Sequence, residues 1–330
     1  MKEKPTLLVT SSFVRGRFEE VSRLANVISL AEIEEGELDK VLPEVVCLLV
    51  QGDWPDSLTP RRLSSMGRLR FIQSGWAGVN HIPFQHLGKR VVVCSNAGGF
   101  STGVAEFALT LLLASSKRLV KLDSSLRSRE FTPEKWGSLA RDVVLLNGKT
   151  LGVLGYGGIG RAVASMGKAL GMKVVAFSRH PEREGAARVL AGSQGLLKVL
   201  KTSDAVVIAL PLSKLTVGLI GRSELESMKT DGILVNIARA EVVDEESVYR
   251  HLVSNPRFTY ATDVWRLKDG KETFSSAFPF LELPNFIGTP HVAGASSAMT
   301  GEPGRVAVEN VLRFLEGRQP LNIVNAKEYA

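Results

Sequence analysis

The stretch Thr150-Leu-Gly-Val-Leu-Gly-Tyr-Gly-Gly-Ile-Gly160 constrains the fold of this 330-residue chain more than any other. An apolar run, Thr150–Leu154, reads as a strand; Gly155 to Gly160 match G-x-G-x-x-G; a helical pattern continues from Arg161 to Leu170. The glycine pattern alone is weak, because glycines are common and an ordinary strand-to-helix turn can carry it. Set between a strand and a helix it reads as a dinucleotide-binding turn. Gly155 makes the turn, Gly157 lets backbone approach a pyrophosphate, and Gly160 permits close helix–strand packing. Gly158 and Ile159 open the helix, whose N-terminal N–H groups suit an anion.

Short β-branched runs alternate with amphipathic stretches along the rest of the chain, which predicts parallel α/β architecture. The first strand series is Thr6–Thr10, Val45–Val50, Leu69–Gln73 and Val91–Cys94. The second is Thr150–Leu154, Lys173–Phe177, Ala205–Leu210, Ile233–Ile237, Tyr260–Val264 and Phe286–Gly288. Their near-continuous apolarity is that of strands covered on both faces. Two series in a chain of this length predict two domains. The glycine-rich segment Asn96–Gly103 between them suits a hinge. The helix pattern starting near Val104 is apolar around much of its circumference, so it should be buried at a domain or subunit contact. A second helix pattern spans Gly304–Gly317.

Composition excludes several classes. With 44% apolar and 23% charged residues the chain is neither disordered nor fibrous. The net charge of +7 is spread along the sequence rather than massed in a run, which favours anionic small molecules over nucleic acid. Cys47 and Cys94 sit in apolar runs and read as buried free thiols of a reducing compartment, not as a disulfide or metal site. The first apolar stretch is too short for a secretory signal, and Phe107–Ala114 is too short for a membrane span. The expected address is the cytoplasm.

The end of the strand after the glycine turn selects between dinucleotides. An Asp or Glu usually stands there to accept from the adenosine ribose hydroxyls. Here the strand ends in Phe177-Ser178-Arg179-His180. A hydroxyl followed by a guanidinium can bind a 2′-phosphate, which a carboxylate would repel. Ser178, Arg179, His180 and Arg183 therefore predict NADP(H), with NAD(H) as the alternative; a surface Arg179 capping the strand is the plainer reading.

Further motifs follow in order. They are Ser203-Asp-Ala-Val-Val-Ile-Ala-Leu-Pro-Leu212, Thr216, Met228-Lys229, Leu234-Val-Asn-Ile-Ala-Arg239, Asp244-Glu245, Thr262-Asp-Val-Trp265 and Thr289-Pro-His-Val-Ala-Gly294. Upstream stand Gln73-Ser-Gly-Trp-Ala-Gly-Val79, Val104-Ala-Glu106 and Trp136. From about residue 70 to Val324 the chain resembles the D-isomer-specific 2-hydroxyacid dehydrogenases. The resemblance implies two Rossmann-like parallel-sheet domains, the nucleotide domain (98–290) inserted into a flavodoxin-like substrate domain (1–97 and 291–330). It implies an active site in the cleft between them, a small 2-keto or 2-hydroxy acid as substrate, and a homodimer with the helix from Val104 as an interface element. It also implies that Leu210, Pro211, Thr216, Ile237, Ala238, Asp263, His291 and Gly294 contact the cofactor together with the glycine turn.

The chemistry needs a grip on the substrate carboxylate, a polarised carbonyl and a proton for the forming alkoxide. A guanidinium suits the first two tasks, and Arg239 occupies the family's catalytic arginine position at a strand's carboxyl end. Imidazole suits the third, and of the five histidines His291 occupies the acid–base position. The backbone amides of Ala77, Gly78 and Val79 resemble the family's carboxylate-gripping loop; Trp76 either lines the pocket or simply packs.

One departure stands out. In relatives a glutamate pairs with the histidine, five residues after the aspartate of the Asp-Val-aromatic motif. Counting from Asp263 reaches Lys268, whose ammonium cannot accept a hydrogen bond and would repel an imidazolium. Three explanations stay open: Asp269 or Glu272 takes the role; Lys268 points to solvent and His291 acts without a partner; or the chain senses the nucleotide without efficient turnover. A glyoxylate- or hydroxypyruvate-type reductase is the first expectation, and an NAD-dependent D-3-phosphoglycerate dehydrogenase the second.

Overall fold

A computed structural model describes residues 4–10, 18–130, 132, 137, 141–179, 185, 187–268, 271–273, 276–295 and 301–329, without the side chains of Phe18, Lys268 and Lys271. Trp136, His180, Arg183 and Asp269 lie outside that set. The chain divides into two compact units: Met1–Phe100 with Ser297–Ala330, and Ser101–Ser296. The second is thus inserted into the first.

The first unit is built on a five-stranded parallel sheet. Its strands are β1 (Thr6–Val9), β2 (Asn26–Ser29), β3 (Val45–Val50), β4 (Phe71–Ser74) and β5 (Val92–Cys94). Their order, β2-β1-β3-β4-β5, is the flavodoxin-like one. Register places Val27, Leu7, Cys47, Phe71 and Val92 in one row and Ile28, Leu8, Leu48, Ile72 and Val93 in the next. Successive rows face opposite sides, and each side has its own apolar core. The side bearing Leu7, Cys47 and Phe71 is covered by the helix Glu302–Leu315 through Ala307, Val308 and Val311. Phe71 and Phe314 stack with ring centroids 4.6 Å apart. The buried Gln73 accepts from the Asn310 amide at 2.7 Å. The last helix therefore completes the first unit's core.

The second unit holds seven parallel strands in the order β14-β11-β10-β9-β6-β7-β8. These are β6 (Thr150–Leu154), β7 (Lys173–Phe177), β8 (Arg188–Leu190), β9 (Ala205–Ile208), β10 (Ile233–Asn236), β11 (Thr259–Thr262) and β14 (Phe286–Gly288). A short antiparallel hairpin, β12 (Leu267–Lys268) with β13 (Lys271–Glu272), follows β11. All residues of β9, β10 and β11 are buried, as expected of central strands covered on both faces.

One finding corrects the sequence reading and a second refines it. Strands β2 and β8 were not expected; each is a partly exposed edge strand of three or four residues with a weak apolar signal. The helix Ser101–Ser116 spends its apolar circumference inside its own unit. Val104, Ala105, Ala108, Leu109, Leu111 and Leu112 are buried, and the helix packs on the helix Gly158–Ala169 and on β10 and β11. Exposed apolar side chains cluster instead on the next helix, Leu119–Arg127, at Leu119, Val120 and Leu126, and at Leu145. No helix among the described residues is long and apolar enough to cross a membrane.

At the amino end of the second sheet one carboxylate ties three elements. Asp204 accepts from the Thr150 N–H at 2.7 Å and from Lys229 Nζ at 2.7 Å, with Lys149 Nζ 3.7 Å away. Burial pushes its carboxyl group up, but these hydrogen bonds and ammonium groups outweigh that and hold it below the ordinary range. A depressed carboxylate stabilises the fold above its unfolded value near 3.9, and that contribution fades as pH falls through the lower folded value. Asp204→Asn should therefore lower the thermal unfolding midpoint at neutral pH. The gap to the parent protein should narrow as the pH of the melt falls below that unfolded value and through the lower folded one.

Candidate active site

The glycine turn has the form its spacing predicts. Gly155 has φ +97°, and a Cβ there would stand 2.5 Å from the Ala209 carbonyl oxygen. At Gly160 a Cβ would lie 1.9 Å from the Gly155 carbonyl oxygen. Neither position admits a side chain. Gly157 differs: a Cβ would meet nothing within 4 Å. It precedes the helix Gly158–Ala169 as its N-cap. Open space over that backbone, beside helix N–H groups, fits a dinucleotide pyrophosphate. Beyond β7, Ser178 is buried and donates its N–H to the Leu190 carbonyl at 2.9 Å, while Arg179 is exposed. Among the described residues no carboxylate stands at that strand end.

Asn236, the last residue of β10, shapes the turn that presents Arg239. Its fully buried amide accepts from the Ala238 N–H at 3.0 Å and donates to the Arg239 carbonyl at 2.9 Å. Ile237 and Ala238 are buried, and Arg239 is half-buried with one guanidinium nitrogen on the Ala238 carbonyl at 2.7 Å. The sequence reading quoted this asparagine without assigning it a task; an amide closing a strand end ahead of an arginine was the signal.

His291 is held from two directions. Its Nδ1 lies 2.7 Å from Glu272 Oε2. Its φ is +53°, a left-handed conformation that costs about 1–3 kcal/mol for a residue with a side chain. The compensation comes from Asp263, which is fully buried at the end of β11. One carboxylate oxygen accepts from the Thr289 hydroxyl at 2.6 Å and the Val292 N–H at 2.9 Å; the other accepts from the Ala293 N–H at 2.7 Å. These contacts bracket His291 on both sides. Trp265 adds a brace, its backbone N–H 3.4 Å from Glu272 Oε1 and its indole N–H 2.8 Å from the Thr289 carbonyl. With Nδ1 facing a carboxylate, Nε2 is the ring nitrogen able to exchange a proton with a reacting oxygen.

The carboxylate beside His291 is thus Glu272, one of the alternatives left open, and not the residue five places after Asp263. The chain detours through the β12–β13 hairpin, with Leu267 paired to Glu272, and the extra residues shift the partner along the sequence. Lys268 lies on β12. Asp263, expected at the cofactor, has both oxygens engaged with the 289–293 segment. Thr216 is turned to its own loop, donating to the Pro211 carbonyl at 2.6 Å and accepting from the Ser213 N–H at 2.8 Å. Leu210 and Gly294 are half-buried, and Pro211 is exposed.

In the first unit, the loop after β4 is pinned from within. Ser74 Oγ accepts from the Trp76 N–H and contacts the Trp76 and Gly78 carbonyls; Asn96 donates to the carbonyls of Gly75 and Pro303. Trp76 packs on Phe100 with centroids 5.3 Å apart, and Val79 is buried. Among the described residues none accepts from the N–H groups of Ala77, Gly78 or Val79.

A strand–glycine turn–helix and an Arg, His and Glu set at strand ends define a dinucleotide-binding α/β protein equipped for acid–base work. A sequence profile described as "D-isomer specific 2-hydroxyacid dehydrogenase, NAD binding domain" matches residues 109–293. A glyoxylate reductase of Thermococcus gammatolerans is 34% identical over 266 residues, 78% of this chain and 77% of its own length. A D-3-phosphoglycerate dehydrogenase of Archaeoglobus fulgidus is 29% identical over 290 residues, 88% of this chain and 53% of the relative. A solved structure from Pyrobaculum aerophilum superposes with a TM-score of 0.82 at 32% identity, covering 98% of this chain and all of that one. The chain belongs to the D-isomer-specific 2-hydroxyacid dehydrogenase family. It is an oxidoreductase with a nicotinamide-dinucleotide domain.

The histidine geometry separates the acidic and basic hairpin residues. Glu272→Gln should lower kcat with a keto acid roughly ten- to hundredfold, part of the usual worth of a positioned acid–base pair. Lys268→Ala should stay within about threefold of the parent in the same steady-state assay. The reverse ranking would remove Glu272 from the site.

Proposed function

We propose that this chain is a cytoplasmic NADPH-preferring reductase of small 2-keto acids of the glyoxylate or hydroxypyruvate type, acting as a homodimer. The observation that carries the reading is the His291–Glu272 contact on a strained, Asp263-clamped turn, in a family whose chemistry needs an acid–base histidine. The nicotinamide, when bound, supplies the hydride received by the carbonyl carbon. Arg239 holds the substrate carboxylate and polarises the carbonyl through its planar fork of donors. The N–H groups of Ala77, Gly78 and Val79, in the first unit, are assigned to carboxylate binding. His291, oriented by Glu272, gives its proton to the oxygen as negative charge develops there, and takes it back in the oxidative direction. Two relatives named glyoxylate reductase, from Thermococcus gammatolerans and Aeropyrum pernix, support the choice of a small keto acid.

Preference for NADPH rests on Ser178 and Arg179 at the end of β7, where the usual ribose-binding carboxylate is missing. The homodimer reading rests on the exposed Leu119, Val120, Leu126 and Leu145, apolar side chains that water disfavours. A second reading, oxidation of D-3-phosphoglycerate with NAD, draws on the Archaeoglobus relative.

Purified protein mixed with NADPH and glyoxylate or hydroxypyruvate should lose absorbance at the reduced-nicotinamide band. Faster turnover of 3-phosphohydroxypyruvate with NADH would select the second reading. No oxidation across a broad 2-keto acid panel with either cofactor would leave a nucleotide-binding protein and overturn the enzymatic proposal. Arg179→Ala should raise the Kd for NADPH about tenfold or more and that for NADH by less than threefold, as expected for loss of a charge-assisted phosphate contact. Equal losses for both would rule out a 2′-phosphate contact.

A further inference from the structure

The second residue of the glycine turn does something the motif does not require. Tyr156 is 1% exposed, among the largest fully buried side chains of the protein. Its phenol oxygen accepts from the Ala187 N–H at 3.0 Å. It also lies beneath Gly185, where a Cβ would stand 2.3 Å from Oη and 3.2 Å from Cζ. Ala187 and Gly185 belong to the return leg of the segment that leaves β7 at Ser178-Arg179 and enters β8 at Arg188. The two ends of that segment are already tied, since Phe177 pairs with Leu190 and the Ser178 N–H donates to the Leu190 carbonyl.

One side chain therefore joins the pyrophosphate turn to the segment carrying the residues next to the adenosine ribose. A leucine or phenylalanine could fill the same volume, but neither offers an acceptor to the Ala187 N–H. A buried donor without an acceptor costs about 1–3 kcal/mol, so the phenol specifies where the return leg sits. Gly185 supplies the matching absence of a side chain.

We infer that Tyr156 is a positioning residue for the adenosine half of the cofactor: it holds Gly185 and Ala187 against the phosphate turn and thereby sets dinucleotide affinity. It acts through backbone, at the end of the dinucleotide remote from hydride transfer. Affinity should therefore move while the chemical step does not. The inference rests on nicotinamide-dinucleotide binding at this turn and not on the choice between NADPH and NADH.

Wild-type protein titrated with NADH and NADPH, followed by nicotinamide fluorescence, tests the binding reading itself before any variant is used. For Tyr156→Phe the Kd of the tighter-binding cofactor should rise about five- to tenfold. ADP-ribose, which carries only the adenosine half, should weaken as a competitor by a similar factor. The KM for cofactor should rise while kcat with glyoxylate stays within about twofold. Gly185→Ala pushes on the same oxygen from the other side with the hydroxyl retained, so it should give the same split between KM and kcat. Combined with Tyr156→Phe it should cost less than the product of the two single effects, because the 2.3 Å clash with Oη is gone and only the backbone strain at φ +153° and the looser ring contacts remain. A lowered unfolding midpoint with unchanged Kd for cofactor and ADP-ribose in both variants would make the phenol a purely structural buttress and overturn the inference. So would a loss confined to kcat.

Discussion

The contact between the Gly160 Cα and the Gly155 carbonyl oxygen is the constraint on which the second unit depends. A single added methyl would stand 1.9 Å from that oxygen. With no side chain there, the helix Gly158–Ala169 begins against the end of β6 and packs along the helix Ser101–Ser116. Gly157 has open space over its backbone, and the buried Tyr156 meets Gly185 and Ala187 on the return leg between β7 and β8.

The acid–base end is organised by buried polar side chains instead. Asn236, Asp263 and Thr289 stand at or just past the carboxyl ends of adjacent parallel strands and spend their hydrogen bonds on backbone and on one another. A polar group removed from water must be paired, and here the pairing dictates the turns that carry Arg239 and His291. The positive φ of His291 fits this arrangement: the local conformation is costly, and three acceptor contacts from Asp263 outweigh it. The two catalytic candidates belong to different turns of one rigid sheet edge, so neither depends on a long mobile loop for its direction.

How much of this was legible depended on whether a signal was local. Central strands were readable, and Val45–Val50, Thr150–Leu154 and Lys173–Phe177 run as their apolar patterns predict. The edge strands Asn26–Ser29 and Arg188–Leu190 were not, because they carry mixed, partly exposed side chains, whereas the edge strands Val92–Cys94 and Phe286–Gly288 were read from their apolar runs. The helix from Val104 was readable as buried, but its circumference could not say what buries it. Counting from Asp263 reached Lys268 and left Glu272 only as one of the alternatives, since a fixed offset assumes a fixed path. The Leu267–Glu272 pairing makes the path longer and brings a later carboxylate to the imidazole.

The amino-acid sequence by itself determined the parallel α/β class, the dinucleotide turn and the candidates Arg239 and His291. The first two are written in contiguous residues whose spacing has a direct steric meaning; the two candidates follow from what the family resemblance implies. Only the tertiary structure decided that Glu272 faces His291, that Asp263 clamps the histidine turn, and that the last helix completes the first unit's core. It also decided that Tyr156 meets Gly185 and Ala187. These are contacts between residues 19 to 30 positions apart or more, and the path of the intervening chain sets them. Local pattern can name the groups that need partners; which partner arrives depends on how the strands are ordered and how far each loop carries the chain between them.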